Sequence, residues 1–255
     1  MSYGVFSSVY DILTENVDYK FLAQKICSLL SLNGVDGGLL LDLGCGTGTL
    51  SFLLEKSGFD VIGIDKSEDM LTEAFEKKAE MGSDVMFLCQ DLTKLDLFGT
   101  AKGAVCVLDT VNHIDSEENL SNFFGLVSLF LEMNGIFVLD FNTPYKHRNI
   151  LGDNTFVYDT DSVYCVWQNT YDEENRKTDI DLDFFIKDGE NYFRESESFS
   201  EYEYETDLIK SLLEQNGFTV KNIFDGYSEN KPSDTTERIV MVAEKSKLVF
   251  EGEIK

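Results

Sequence analysis

Residues 39–50 read LLLDLGCGTGTL, an apolar run around one aspartate that opens into glycines at every second position. Leu39, Leu40, Leu41 and Leu43 suit a strand buried on both faces, as in a parallel sheet. Gly44, Gly46 and Gly48 then permit a sharp turn and a close ligand approach that side chains would block. The following TLSFLLEKSG has the pattern of a helix whose first amides face that ligand.

Further strand-like runs follow at fairly regular intervals: FDVIGID (59–65), DVMFLCQ (84–90), GAVCVLD (103–109) and GIFVLDF (135–141). Helical patterns fill most of the gaps. Ser67 is an N-cap for EDMLTEAFEKKAEMG, and Asp115 with Glu118 forms a capping-box pattern for the helix that ends at Asn134-Gly135. Such alternation predicts a parallel sheet with helices on both faces. After Asn142 the period changes to two. Asp179, Asp181 and Asp183 alternate with Ile180, Leu182 and Phe184, KDGE (187–190) suits a hairpin turn, and glutamates and tyrosines alternate in SESFSEYEYE. An antiparallel sheet with one wet, acidic face is expected here. The helical pattern returns at Thr206, and the two last strands, FTVKNIFDGY and RIVMVAEK, are joined too closely for a parallel crossover. The expected fold is therefore α/β: a Rossmann-like, seven-stranded, mostly parallel sheet with an antiparallel last strand, plus an antiparallel β insertion. Residues 1–150 hold N-terminal lid helices and the cofactor-binding core, 151–205 the insertion roofing the substrate site, and 206–255 the helix and strands that complete the core.

The chain of 255 residues has a formal net charge of −26, and residues 151–207 carry 17 Asp/Glu against 4 Lys/Arg. A surface this acidic repels phosphate backbones and argues against nucleic acid as a partner. No apolar run is long enough to span a membrane, and MSYGVFSSVYDILTEN lacks the basic start of a secretory signal. Five scattered cysteines without a C-x-x-C pair fit a reducing, cytoplasmic setting, and two isolated histidines offer no metal site.

A dinucleotide loop of the G-x-G-x-x-G type would need glycine at 49, where this chain has Thr49, and no Lys-Ser/Thr follows as in a P-loop. Asp42, two residues before the first glycine, would repel an anion at the loop and attract an ammonium group. Asp65 ends the second strand, where a carboxylate can accept both hydroxyls of a ribose. At this point the chain resembles the class I S-adenosylmethionine-dependent methyltransferases: LLDLGCGTG is similar to their first motif, GIDKSEDML to the second and CQDL to the third. The opening YGVFSSVYDILTENVDY resembles that of a bacterial, YqeM-like branch, in which this segment covers the cofactor and a β insertion follows the fifth strand.

The resemblance implies S-adenosylmethionine as cofactor and S-adenosylhomocysteine as product, with no metal. It implies that Gly44 to Gly48 border the methionine part, Asp42 orders its amino group and Asp65 takes the ribose. Met70 and Leu92 would pack on adenine and Asp91 accept from its amine, with Cys45, Lys66 and Leu108 completing the set. VLDTVNHI departs from the family pattern by placing His113 where an aromatic is expected. Methyl transfer needs alignment and dryness more than a base, so the catalytic candidates are limited to His113, Asp109 and Tyr10. Asn112, Asp140, Asn142 and Tyr145 are the candidate substrate residues, and His147 with Arg148 forms a candidate positive spot. A small-molecule acceptor is expected, with a protein acceptor or a non-catalytic cofactor-binding subunit as alternatives and a homodimer as an open assembly state.

Overall fold

The computed structural model describes residues 4–248, and the side chains of residue 7 and of 9–248. Tyr3 and the Phe6 side chain, both expected in the lid, lie outside the described residues. Two helices precede the sheet, α1 (Gly4–Leu13) and α2 (Tyr19–Leu32). Asp18 caps α2 by accepting from the Phe21 amide at 2.9 Å. The core follows as β1 (Gly38–Leu43), α3 (Thr49–Lys56), β2 (Phe59–Asp65), α4 (Glu68–Met81), β3 (Met86–Cys89), β4 (Ala101–Cys106), α5 (Glu117–Phe130) and β5 (Leu131–Asn142). Ser67 caps α4 and Gly82 ends it in the left-handed conformation, as expected. The cap of α5 differs. Ser116 accepts from the Asn119 amide, while Asp115 takes the Asn119 side-chain amide instead. Both residue types cap well, and the serine stands one position nearer the helix.

After β5 come β6 (Thr155–Asp159), β7 (Val163–Asp172), β8 (Lys177–Asp188) and β9 (Asn191–Tyr202), which form a separate antiparallel sheet in sequential order. The chain then returns through α6 (Thr206–Gln215), β10 (Phe218–Asp225) and β11 (Arg238–Lys245). The main sheet has the order β10-β11-β5-β4-β1-β2-β3, with β11 antiparallel to both neighbours. Its two faces are covered by separate apolar clusters. One is built on α5 and α6 through Leu120, Phe123, Phe124 and Ile209, the other on α2, α3 and α4 through Ile26, Leu50 and Leu71. Because β1 has β2 on one side and β4 on the other, the strand order reverses there and leaves a crevice at the carboxyl ends.

The insertion has two unlike faces. On the wet face, the serines at 196, 198 and 200 donate to Asp183, Asp181 and Asp179 across the β8–β9 pairing. On the other face Cys165, Ile180, Leu182 and Phe184 are buried, and Val9, Ile12 and Leu13 of α1 pack against them. The expected placing of the glutamates needs correction. Glu195, Glu197 and Glu201 stand opposite Phe184, Leu182 and Thr178, on the apolar face, and Glu201 is 3% exposed. The carboxylates of the wet face come from β8.

The base of the insertion is fixed to the core by buried polar contacts. Glu203 accepts from Arg148 (2.5 and 2.9 Å), Arg176 (2.7 and 2.9 Å) and the Tyr171 hydroxyl (2.7 Å). His147 joins Asn112 at 3.3 Å to Thr178 at 2.9 Å, and burial pushes its pKa down to about 4, so it is a neutral clasp. The candidate positive spot at 147–148 is thereby consumed in holding the two sheets together. Removing a buried, multiply paired carboxylate is strongly destabilising, discounted here because both guanidinium groups are nearly half exposed. Glu203→Ala is expected to lower unfolding free energy by about 1–3 kcal/mol in urea titration, and to speed hydrogen exchange in β7 and β8 more than in β1.

Candidate active site

The glycine turn after β1 is tight for reasons internal to the fold. Gly44 has φ +79°, its amide donates to the Ile64 carbonyl at 2.7 Å, and a Cβ there would collide with the Thr110 side chain. At Gly48 (φ +77°) a Cβ would stand 2.7 Å from the Phe87 ring. Gly46 is different, since nothing stands within 4 Å of where its Cβ would be. Two of the glycines answer to neighbouring side chains, and the middle one opens onto a cavity of about 500 Å³.

That cavity runs along the carboxyl ends of the strands and has two regions. In the first, Asp42, Gly44, Cys45, Gly46, Asp65, Lys66, Met70, Asp91, Leu92 and Leu108 all reach the wall. Gly48 lies behind it. Asp42 accepts from Ser51 at 2.5 Å and is 2% exposed; burial raises its pKa to about 6, with the Ser51 bond opposing. The Asp65 carboxylate accepts from the Gly46 and Ser67 amides, each at 2.9 Å, which pins the strand end to the loop. Asp91 caps a short 3-10 turn (Leu92–Lys94). Desolvation acts to raise its pKa, but hydrogen bonds from the Thr93 amide and hydroxyl outweigh it and leave the carboxyl below its usual range. The donor set fits an adenosine-containing ligand with a cationic amino-acid end. The open space at Gly46 admits its chain, and two carboxylates flank the loop.

The second region lies between the end of β4 and the insertion. Leu108 and Asp109 both have positive φ (56° and 61°), unusual for side-chain-bearing residues. Asp140 holds them by accepting from both amides at 3.1 Å, and it also accepts from Tyr227 and Arg238, each at 2.5 Å. Arg238 bridges onward to Asp109 at 2.5 Å. Burial opposes ionisation of Asp109, but Arg238 and Lys146 outweigh it and hold the carboxyl below its usual range. Burial lowers the pKa of His113, against the pull of Asp109, so its imidazole is neutral at pH 7. Burial and the neighbouring Asp109 charge push Glu201 up to about 8, although Asn142 donates to it at 2.9 Å. Ligand atoms of Asp109, His113 and Glu201 all lie within 4.8 Å of one another.

Tyr10 of α1 lines the cavity and is hydrogen-bonded to Tyr19, and burial raises the pKa of both phenols. Asp11, one residue on, accepts from Thr47 at 2.7 Å and pairs with Lys77, tying α1 to the glycine loop. Asn142 is on the wall. Asn112 is fully buried beneath it, accepting from the Asn142 amide at 2.8 Å and donating to the Tyr202 carbonyl at 2.9 Å. Asp140 is 0% exposed behind the Leu108–Asp109 turn, and Tyr145 is likewise absent from the wall. Of the four candidate substrate residues Asn142 alone reaches the wall, while Asn112 and Asp140 brace it from behind. The cavity also contains residues that sequence reasoning passed over, namely Lys146, Trp167, Glu201 and Arg238. A usable signal existed for Glu201, which shares its parity along β9 with Phe199 rather than with the wet serines.

Comparison with known proteins agrees with this geometry. A family model described as a methyltransferase domain matches residues 40–135. A protein of Geobacillus sp. (strain WCH70), named as a methyltransferase, is 30% identical over 96% of this chain and 100% of its own length. The chain belongs to the YqeM-like S-adenosylmethionine-dependent methyltransferases. YqeM of Bacillus subtilis (strain 168) is 29% identical over 98% of this chain and 99% of that protein. A crystal structure of an S-adenosylmethionine-dependent methyltransferase from Clostridium acetobutylicum ATCC 824 superposes with a TM-score of 0.88 at 31% identity, covering 96% of this chain and 99% of the other. Streptomyces venezuelae DesVI shares the fold, with a TM-score of 0.77 at 21% identity, 92% of this chain and 96% of the other.

For this methyltransferase the loop geometry predicts a strong effect at Gly44. An alanine there must adopt a left-handed conformation, costing about 1–2 kcal/mol, and must displace Thr110. Gly44→Ala is expected to shift the urea midpoint downward by at least that free energy, and calorimetry should show weakened S-adenosylhomocysteine binding.

Proposed function

We propose that this methyltransferase transfers the methyl group of S-adenosylmethionine to a small molecule held between the Leu108–Asp109 turn and the insertion. The observation that carries the reading is the continuity of the cavity: one space joins the glycine loop to a polar patch walled by residues of the inserted sheet. A protein acceptor would need an open groove, whereas α1 and the insertion pack together over this space.

In this reading Asp42 orients the amino group of the cofactor, Asp65 takes its ribose, and Met70, Asp91 and Leu92 hold the adenine. Bound there, S-adenosylmethionine supplies an electrophilic methyl on a good leaving group. The residues of the chain align the acceptor, exclude water and manage a proton. Alignment at about 3 Å accounts for much of such an acceleration. His113 is the base, since its ring nitrogens have no hydrogen-bond partner among the described residues and it is neutral at pH 7. Asp109 stabilises the imidazolium that forms. Tyr10, from the lid side, places an aromatic face near the sulfonium, an attraction of about 0.5–2 kcal/mol. Asn142 positions the acceptor, with Asn112 and Asp140 behind it.

Three measurements follow. Asp65→Ala should weaken S-adenosylhomocysteine binding in calorimetry by about 1.5–3 kcal/mol, the scale of lost hydrogen bonds to a charged group. Unchanged affinity would remove Asp65 from the ribose. Cofactor consumption against fractionated metabolites identifies the acceptor pool, and consumption supported only by the protein fraction would overturn the small-molecule reading. On the active fraction, His113→Asn should lower kcat/KM by about 10²–10⁴-fold. Because the working form is neutral imidazole with a depressed pKa, wild-type activity should persist at pH 7. Loss of activity through protonation of His113 should set in only as the pH drops below the usual histidine value of about 6.5.

A further inference from the structure

Three side chains from separate elements converge at the polar end of the cavity. Asp109 and His113 come from the turn after β4, and Glu201 from β9 of the insertion. Their ligand atoms lie within 4.8 Å of one another. Arg238 occupies Oδ1 of Asp109 and Asn142 occupies Oε2 of Glu201. Oδ2 of Asp109, Oε1 of Glu201 and both ring nitrogens of His113 have no hydrogen-bond partner among the described residues. Each of the three residues therefore keeps an atom free for a ligand, and Glu201 is 3% exposed. We propose that the methyl acceptor is a primary amine whose ammonium group enters this triangle, with Glu201 as the residue that selects it. The inference rests on the small-molecule reading above.

The geometry suits such a group. A tetrahedral ammonium has three N–H donors and no acceptor. Acceptors placed about 2.8 Å from its nitrogen stand roughly 4.6 Å apart, within the observed limit. A hydroxyl brings a single donor and would leave two of the three unsatisfied. A carboxylate would meet two other carboxyl groups. Arg238 and Lys146 face the same space from β11 and the turn after β5. They repel a divalent ion about twice as strongly as an ammonium, which also brings the N–H donors a metal ion lacks. The insertion side of the cavity is apolar, with Tyr158, Trp167, Leu182 and Phe199, the last with its ring 5.4 Å from that of His113. The amine therefore sits on an apolar body, and the flat rings favour an aromatic one.

The chemistry balances. The ammonium gives one proton to His113, whose positive charge is met by Asp109 and Glu201. Lys146, as a like charge, favours this loss. The freed lone pair forms the N–CH3 bond as the C–S bond breaks, and that bonding pair stays on sulfur. The product ammonium keeps two N–H donors.

The test uses the full chain loaded with S-adenosylhomocysteine and three probes of matched body: 2-phenylethylamine, 2-phenylethanol and 3-phenylpropanoate. Calorimetry should show the amine binding at least about tenfold more tightly than either other probe. Its affinity should rise severalfold from pH 6.5 to 8.5, as Glu201, pushed up to about 8, ionises. The groups facing Glu201 are Asp109, His113, Lys146 and Arg238, so the control is Glu201→Gln. That variant should lose the selectivity and the pH response while keeping its affinity for S-adenosylhomocysteine, which also reports that it has folded. Equal or tighter binding of the alcohol or the carboxylate overturns the amine assignment and leaves the small-molecule reading standing. Binding that requires a divalent metal, or a pH response that persists in Glu201→Gln, also overturns it. Binding by none of the three overturns the amine assignment, and the metabolite-fraction assay decides the small-molecule reading separately.

Discussion

The buried carboxylate of Asp140 is the constraint on which the site depends. It is wholly removed from water and accepts from two backbone amides, a phenol and a guanidinium. Two consecutive left-handed residues cost about 1–2 kcal/mol each. The two amide hydrogen bonds to Asp140, itself anchored by Tyr227 and Arg238, oppose that cost and hold the turn at Leu108 and Asp109. The contacts bring together β4, β5 and β11, three neighbours in the sheet. They also fix where Leu108 and Asp109 meet the cavity. Backbone strain concentrated at such a turn is characteristic of functional sites.

The insertion depends on the same corner. Its base is clamped by Glu203 with Arg148, Arg176 and Tyr171, and by the neutral His147 between Asn112 and Thr178. Asn112 belongs to the turn that Asp109 opens, so the second sheet is attached next to the strained segment. Its apolar face cannot be left in water, and α1 covers part of it through Val9, Ile12 and Leu13. The opposite side of α1 is tied to the glycine loop by Asp11 with Thr47 and Lys77. The glycine loop, α1 and the inserted sheet therefore form one closed circuit of contacts around the cavity.

Charge is arranged differently inside and outside. The surface carries most of a formal charge of −26, whereas the polar end of the cavity sets Asp109, Asp140 and Glu201 against Arg238 and Lys146. Glu201 is the group left over. With its pKa pushed up to about 8, it holds its proton in the closed site at neutral pH, and a cation beside it would release that proton.

The alternation of apolar runs and helical stretches determined the α/β core, because buried parallel strands need continuous apolar sequence and their crossovers need helices. The 39–50 stretch determined the glycine turn, since such spacing is a local backbone property, and period two determined the inserted sheet. Ser67 and Gly82 were legible as caps for the same local reason. Tertiary structure decided what local rules cannot reach. Period two separates two faces but does not say which one meets the core, so the glutamates of β9 were misplaced until pairing with β8 put Glu201 opposite Thr178. Arg238 stands 129 residues from Asp109, and no spacing rule links them. Asp140 lies near the carboxyl end of β5, where a site residue would, but only the fold of the turn above it turned a wall residue into a brace. Contacts between residues distant in the chain depend on how whole elements pack, and that information is absent from any single segment.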